Sequence, residues 1–168
     1  LAAEVQVPAN ALAKATTIEV QKTKQYPALP ASMTAVGDAY AFLPHGTTFL
    51  APVTLTIAVP ADANVLLRLD DEKDTTFEVV TGVTFKDGKA TFQSTHFSLY
   101  IPANSCASLC AQIHHACTAH DQVQCKQKCQ GDQVVPTTAC LSLSTALVTC
   151  LKNAPAANFE CTSGFAYP

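Results

Sequence analysis

The chain has 168 residues and a formal net charge of −3, with 48% hydrophobic and 14% charged residues. That length holds one ordinary domain or two small ones. The charge is too low for a disordered segment, and the slightly acidic balance leaves no basic footprint for nucleic acid. No apolar run reaches the roughly twenty residues that a membrane-spanning helix needs.

Residues 1–104 read as strands. Val5-Gln6-Val7-Pro8 opens the chain, and Thr16-Thr17-Ile18-Glu19-Val20 follows as a second strand. Val53, Leu55, Ile57 and Val59 alternate with Thr54, Thr56 and Ala58, the period of a half-buried strand. Leu67 and Leu69 flank Arg68, Phe77 and Val79 flank Glu78, and Val83 and Phe85 flank Thr84. Asp70, Asp71, Glu72 and Asp74 surround Lys73 without the order of a calcium loop, and read as a solvated turn. Lys86-Asp87-Gly88-Lys89 is a two-residue hairpin signal, because Asp-Gly tolerates the positive φ of a type I′ turn. Phe97 to Ile101 forms the last strand. Phe92 and Ser94 share parity with His96 and Ser98, whereas Phe97, Leu99 and Ile101 have the opposite parity. A bulge or kink is therefore expected near residues 94–96. Short punctuated strands imply an antiparallel all-β sandwich.

Pro102-Ala103-Asn104-Ser105 reads as a boundary, after which Ala, Gln, Lys and Leu favour helix. Helices are expected from Ser105 to about 118, from Asp121 to near Gly131, and from Pro136 through Leu151. No cysteine precedes residue 106; Cys106, Cys110, Cys117, Cys125, Cys129, Cys140, Cys150 and Cys161 then follow closely. An even, dense set in so small a segment reads as four disulfides, at about 2–4 kcal/mol each, formed outside the cytoplasm. The extracellular space or cell surface is expected, with the periplasm as an alternative. Cys106 and Cys110 lie four apart, as do Cys125 and Cys129, so two antiparallel helices would favour Cys106–Cys129 and Cys110–Cys125. The start at Leu1 reads as that of a processed protein or a fragment. Residues 105–168 are thus expected to form a small disulfide-rich helical module.

The first module also carries a resemblance. Val7-Pro8-Ala9-Asn10-Ala11-Leu12 followed by Thr16-Thr17-Ile18-Glu19-Val20, and the stretch from Gly37 through Pro44-His45-Gly46-Thr47-Thr48-Phe49-Leu50-Ala51-Pro52-Val53-Thr54-Leu55, resemble the ZU5 family over residues 3–101. The resemblance implies a β-sandwich serving as an interaction or spacer module. The family's usual first strand before the Val-Pro motif is missing or supplied by residues 1–7. The second module of the animal members is replaced by the cysteine-rich segment, which resembles helical tails of secreted myxobacterial-type proteins. An unfilled sheet edge would seek a strand from a protein partner or a second copy.

The same resemblance gives chemistry to His96-Phe97-Ser98, because some ZU5 domains are cut between Phe and Ser of such a sequence. Ser98 Oγ would attack the Phe97 carbonyl, with His96 as base or polarising group. In the plainer reading Ser98 faces outward from a good strand and His96 makes an ordinary hydrogen bond. His115 and His114 lie five and six residues before His120, not the four of a helical metal pair, and all three read as exposed helix-end residues. Cys-x-x-Cys is absent, so a metal-binding module is the third reading and no cofactor is expected. His45 lies in a Pro-His-Gly turn and reads as structural. No motif for an outside substrate occurs. The sequence thus points to a non-enzymatic structural or adhesion module, with self-cleavage at Phe97–Ser98 as the alternative.

Overall fold

The computed structural model describes residues 2–106, 110, 160–162 and 165–167. One sheet is organised by strand β5 (Thr48–Ala58), in which Val53, Leu55 and Ile57 are fully buried while Thr54, Thr56 and Ala58 are partly exposed. β1 (Ala3–Gln6) pairs with it on one side, Val5 opposite Leu55. β9 (Lys89–His96) pairs on the other, with Phe92 opposite Leu55. β8 (Thr84–Lys86) completes the order β1-β5-β9-β8. The β8–β9 turn has φ 51° at Asp87 and 71° at Gly88, the paired positive values of the expected hairpin. Residues 3–6 therefore fill the sheet edge beside β5.

The second sheet has the order β2 (Glu19–Thr23), β4 (Ala39–Leu43), β10 (Leu99–Asn104), β6 (Val65–Leu69) and β7 (Glu78–Val79), with β3 (Thr34–Ala35) also on β10. The two sheets make a sandwich-like fold. Tyr40, Phe42, Leu66 and Tyr100 of the second sheet share a core cluster with Val53, Leu55, Ile57, Ala90 and Phe92 of the first. Phe42 and Tyr100 meet edge-on at 5.6 Å, and Phe92 lies 4.7 Å from Tyr100 between ring centroids.

Three elements differ from their sequence expectation. β2 begins at Glu19 rather than Thr16, because Glu19–Thr23, polar apart from Val20 and exposed as far as Lys22, pair with β4 as an edge strand. Pro102–Asn104 belong to β10, Pro102 opposite Leu66 and Ala103 opposite Val65. The parity change after β9 is not a flip within one sheet: Tyr100 joins the shared core, while Leu99 and Ile101, together with Leu67 and Leu69, are buried on the opposite face. The second sheet is thus apolar on both faces, as buried sheets are. Alternation cannot reveal a core face in such a strand.

Leu1–Ala28 with Ala35–Ala103 form one compact unit, and Leu29–Thr34 with Asn104–Pro168 form another. In the second unit Ser105, Cys106 and Cys110 are helical, and Asn104 Oδ1 accepts a hydrogen bond from Cys106 N–H at 2.8 Å. Asn104, rather than Ser105, thus caps that turn. β11 (Glu160–Thr162) and β12 (Phe165–Tyr167) pair antiparallel, with Cys161 opposite Ala166. The helices expected over the rest of 107–151 lie outside the described residues.

Phe42 is fully buried and touches both Phe97 and Tyr100. Phe42→Ala is expected to cost about 3–5 kcal/mol in urea unfolding; a loss below about 1 kcal/mol would show that this cluster is not the core of the fold.

Candidate functional site

His96, Phe97 and Ser98 form the corner at which the chain leaves one sheet for the other: β9 ends at His96 and β10 begins at Leu99. The irregularity expected near residues 94–96 falls opposite them. Thr48 pairs with His96 and Val53 with Ser94, so five steps along β5 match two along β9. The additional residues include Pro52, which has no N–H to give a ladder.

Each carbonyl of the corner is held. His96 O accepts from Ser94 Oγ at 2.6 Å and lies 3.3 Å from the Tyr100 hydroxyl, which donates to Ser94 Oγ at 2.9 Å. Phe97 N–H donates to Thr47 O at 2.9 Å, Gly46 N–H donates to Phe97 O at 3.1 Å, and Phe42 N–H donates to Ser98 O at 3.1 Å. Gly46 has φ +73°, a conformation in which a side chain would be strained. The Phe97 ring is wholly buried, edge-on to Phe49 at 4.8 Å.

Against this satisfied backbone, Ser98 stands out. The residue is 0% exposed and its Oγ has no hydrogen-bond partner. It does not face outward as the plainer reading expected. Burial pushes the Tyr100 phenol above its ordinary pKa, with the Ser94 bond and Arg68 opposing. The Ser98 hydroxyl is near enough to favour the phenolate slightly, but without hydrogen-bonding geometry.

The His96 ring belongs to a charged cluster instead of bonding Ser98. Its Nε2 lies 3.9 Å from Asp70 Oδ1, beside the Arg68–Glu78 ion pair. Burial, then the Arg68 charge, holds the His96 pKa below its ordinary value, against Asp70 and Glu78. The neutral imidazole, the form able to accept a proton, is therefore favoured.

The acidic turn is built for its own backbone. Asp71 Oδ1 accepts from Lys73 N–H and Asp74 N–H, and Asp74 accepts from Asp70 N–H and Thr76 N–H. Those bonds, Thr76 first, lower the Asp74 pKa. Glu72 is the exception, reaching His45 Nε2 at 3.1 Å. Among the described residues no three His, Cys, Asp or Glu side chains converge on a metal position.

Cys106 and Cys110 are fully buried and disulfide-bonded. Cys129 and Cys125, the partners expected for Cys106 and Cys110, and Cys117, Cys140, Cys150, His114, His115 and His120, lie outside the described residues; Cys161 is in β11. Gly46, Ser94, Tyr100 and Glu72 were not singled out by sequence as parts of the corner. For Ser94 the signal was there, a serine at the parity of core Phe92; for Glu72, 27 positions from His45, there was none.

Two outcomes follow. Ser98→Ala is expected to stabilise the uncut chain by about 1 kcal/mol, since it removes an unpaired buried hydroxyl; a comparable loss would reveal a hydrogen bond at Oγ. The folded His96 pKa lies below its ordinary 6.5. Its contribution is therefore fully present above that value and is lost as pH falls through the folded pKa. The urea midpoint should drop between about pH 7 and pH 5, and His96→Gln should flatten that part of the curve. An unchanged pH dependence in the variant would remove His96 from this account.

No family model and no curated protein matches the chain.

Proposed function

We propose that this chain is a ZU5-like structural or adhesion module of an extracellular or cell-surface protein, and that it cuts its own backbone between Phe97 and Ser98. The exported location is supported by the cysteine-rich segment, and the disulfide-stapled helical module belongs to the same proposal. Its only chemistry is on itself; outside molecules are bound, with a protein partner or a second copy as the companion.

The observation that carries self-cleavage is the buried, unbonded Ser98 hydroxyl next to the Phe97 carbonyl. An unsatisfied buried hydroxyl costs about 1–3 kcal/mol, a cost without structural return. In the proposed reaction Ser98 Oγ adds to the Phe97 carbonyl carbon, and its proton passes to the Ser98 nitrogen. The carbon–nitrogen bond then breaks, leaving an ester on Ser98 Oγ and a free Ser98 amine. Water hydrolyses the ester to a Phe97 carboxylate and the restored hydroxyl. His96, favoured in its neutral form, is the candidate proton carrier, reaching Ser98 only by a change of its ring position or through water.

Intact mass after prolonged incubation tests the reading. All eight cysteines follow Ser98, so no disulfide joins residues 1–97 to 98–168. Denaturation without reductant is expected to separate two fragments from the wild-type chain and none from Ser98→Ala. A wild-type chain that remains one species of 17.7 kDa overturns self-cleavage.

A further inference from the structure

The peptide at the corner is gripped by a single turn. β4 ends at Leu43, and Pro44–Thr47 turn back with Thr47 N–H and Oγ1 both donating to Pro44 O, at 3.2 and 2.8 Å. From this turn Gly46 N–H reaches Phe97 O and Thr47 O takes Phe97 N–H. The far side of the turn is tied down as well. His45 Nε2 lies 3.2 and 3.1 Å from the two carboxylate oxygens of Glu72, inside the acidic turn whose backbone Asp71 and Asp74 fix. A carboxylate only accepts, so Nε2 carries the proton. His45 Nδ1 is then left buried without a partner. Both polar side-chain atoms that are buried without a partner among the described residues, His45 Nδ1 and Ser98 Oγ, thus belong to this corner and the turn that holds it.

We propose that Gly46 N–H is the oxyanion donor for cleavage at Phe97–Ser98, and that the His45–Glu72 pair is its positioning device. This inference rests on the self-cleavage reading. When Ser98 Oγ bonds to the Phe97 carbon, the carbonyl electron pair moves onto Phe97 O. The Gly46 hydrogen bond, already 3.1 Å long, then meets a full negative charge and strengthens. The electron pair returns as the bond to the Ser98 nitrogen breaks, the nitrogen taking the hydroxyl proton. His45 and Glu72 touch no reacting atom. They hold the turn that aims the Gly46 amide, and a partly exposed pair of this kind adds little to stability itself.

Two measurements on the full chain test this. With excess hydroxylamine to consume the ester, the rate of fragment appearance reports the acyl shift. Glu72→Ala and His45→Ala are expected to slow it by about tenfold or more, whereas Glu72→Gln, which keeps an acceptor for Nε2–H, should stay within about threefold of wild type. In a Ser98→Ala background, which cannot cut, the Phe97 carbonyl ¹³C resonance should move on adding Glu72→Ala and hold on adding Glu72→Gln. Wild-type rates in both alanine variants, an equal loss in Glu72→Gln, or an unmoved resonance overturns the positioning role and leaves self-cleavage standing. A wild-type chain that never cuts overturns both.

Discussion

A sandwich whose strands change sheets must turn the chain within a few residues, and inside the core that turn has no water to satisfy it. Here the turn takes two residues, Phe97 and Ser98, both wholly buried. Every other feature of the corner answers that constraint. Four carbonyl and amide groups find partners from β4, from the Gly46–Thr47 turn and from the Ser94–Tyr100 hydroxyl pair. The Phe97 ring fills the space between Phe42 and Phe49, and β5 takes up additional residues to keep pairing across the bend. Backbone groups buried in this way must be paired or the fold loses several kcal/mol.

What stays unpaired is correspondingly informative. Natural cores are locally consistent except where something other than stability is at stake. The Ser98 hydroxyl and the second nitrogen of His45 break that consistency. They lie on segments joined by the Gly46–Phe97 hydrogen bond, and the backbone between them is otherwise well satisfied. A defect of packing alone would have no reason to gather at one peptide.

Much of the first sheet was legible in the sequence. The Thr alternation of β5 and the Asp-Gly turn between β8 and β9 are local signals, and local physics decides them. The second sheet was less so. β10 is buried along all six residues, so Leu99 and Ile101 looked like the core face when Tyr100 is the residue that joins the shared cluster. Glu19–Lys22 carry no apolar stripe, and only their pairing with β4 makes them a strand. The motif His96-Phe97-Ser98 was visible as three letters, and the parity change marked the bend beside it. The grip on the motif was not visible, because His45, Gly46 and Glu72 come from turns brought together only by the fold.

The burial of the corner also decides what a cut there would leave behind. Breaking the peptide converts two neutral, hydrogen-bonded groups into an ammonium at Ser98 and a carboxylate at Phe97, both at positions without solvent contact. Ions in such surroundings are unfavourable by several kcal/mol unless they pair or escape. A nick would therefore act as a wedge of charge between two sheets. The new chain end of β10 and the Phe97 terminus would be pushed towards water, and the aromatic contacts of Phe42, Phe49 and Phe97 would loosen with them.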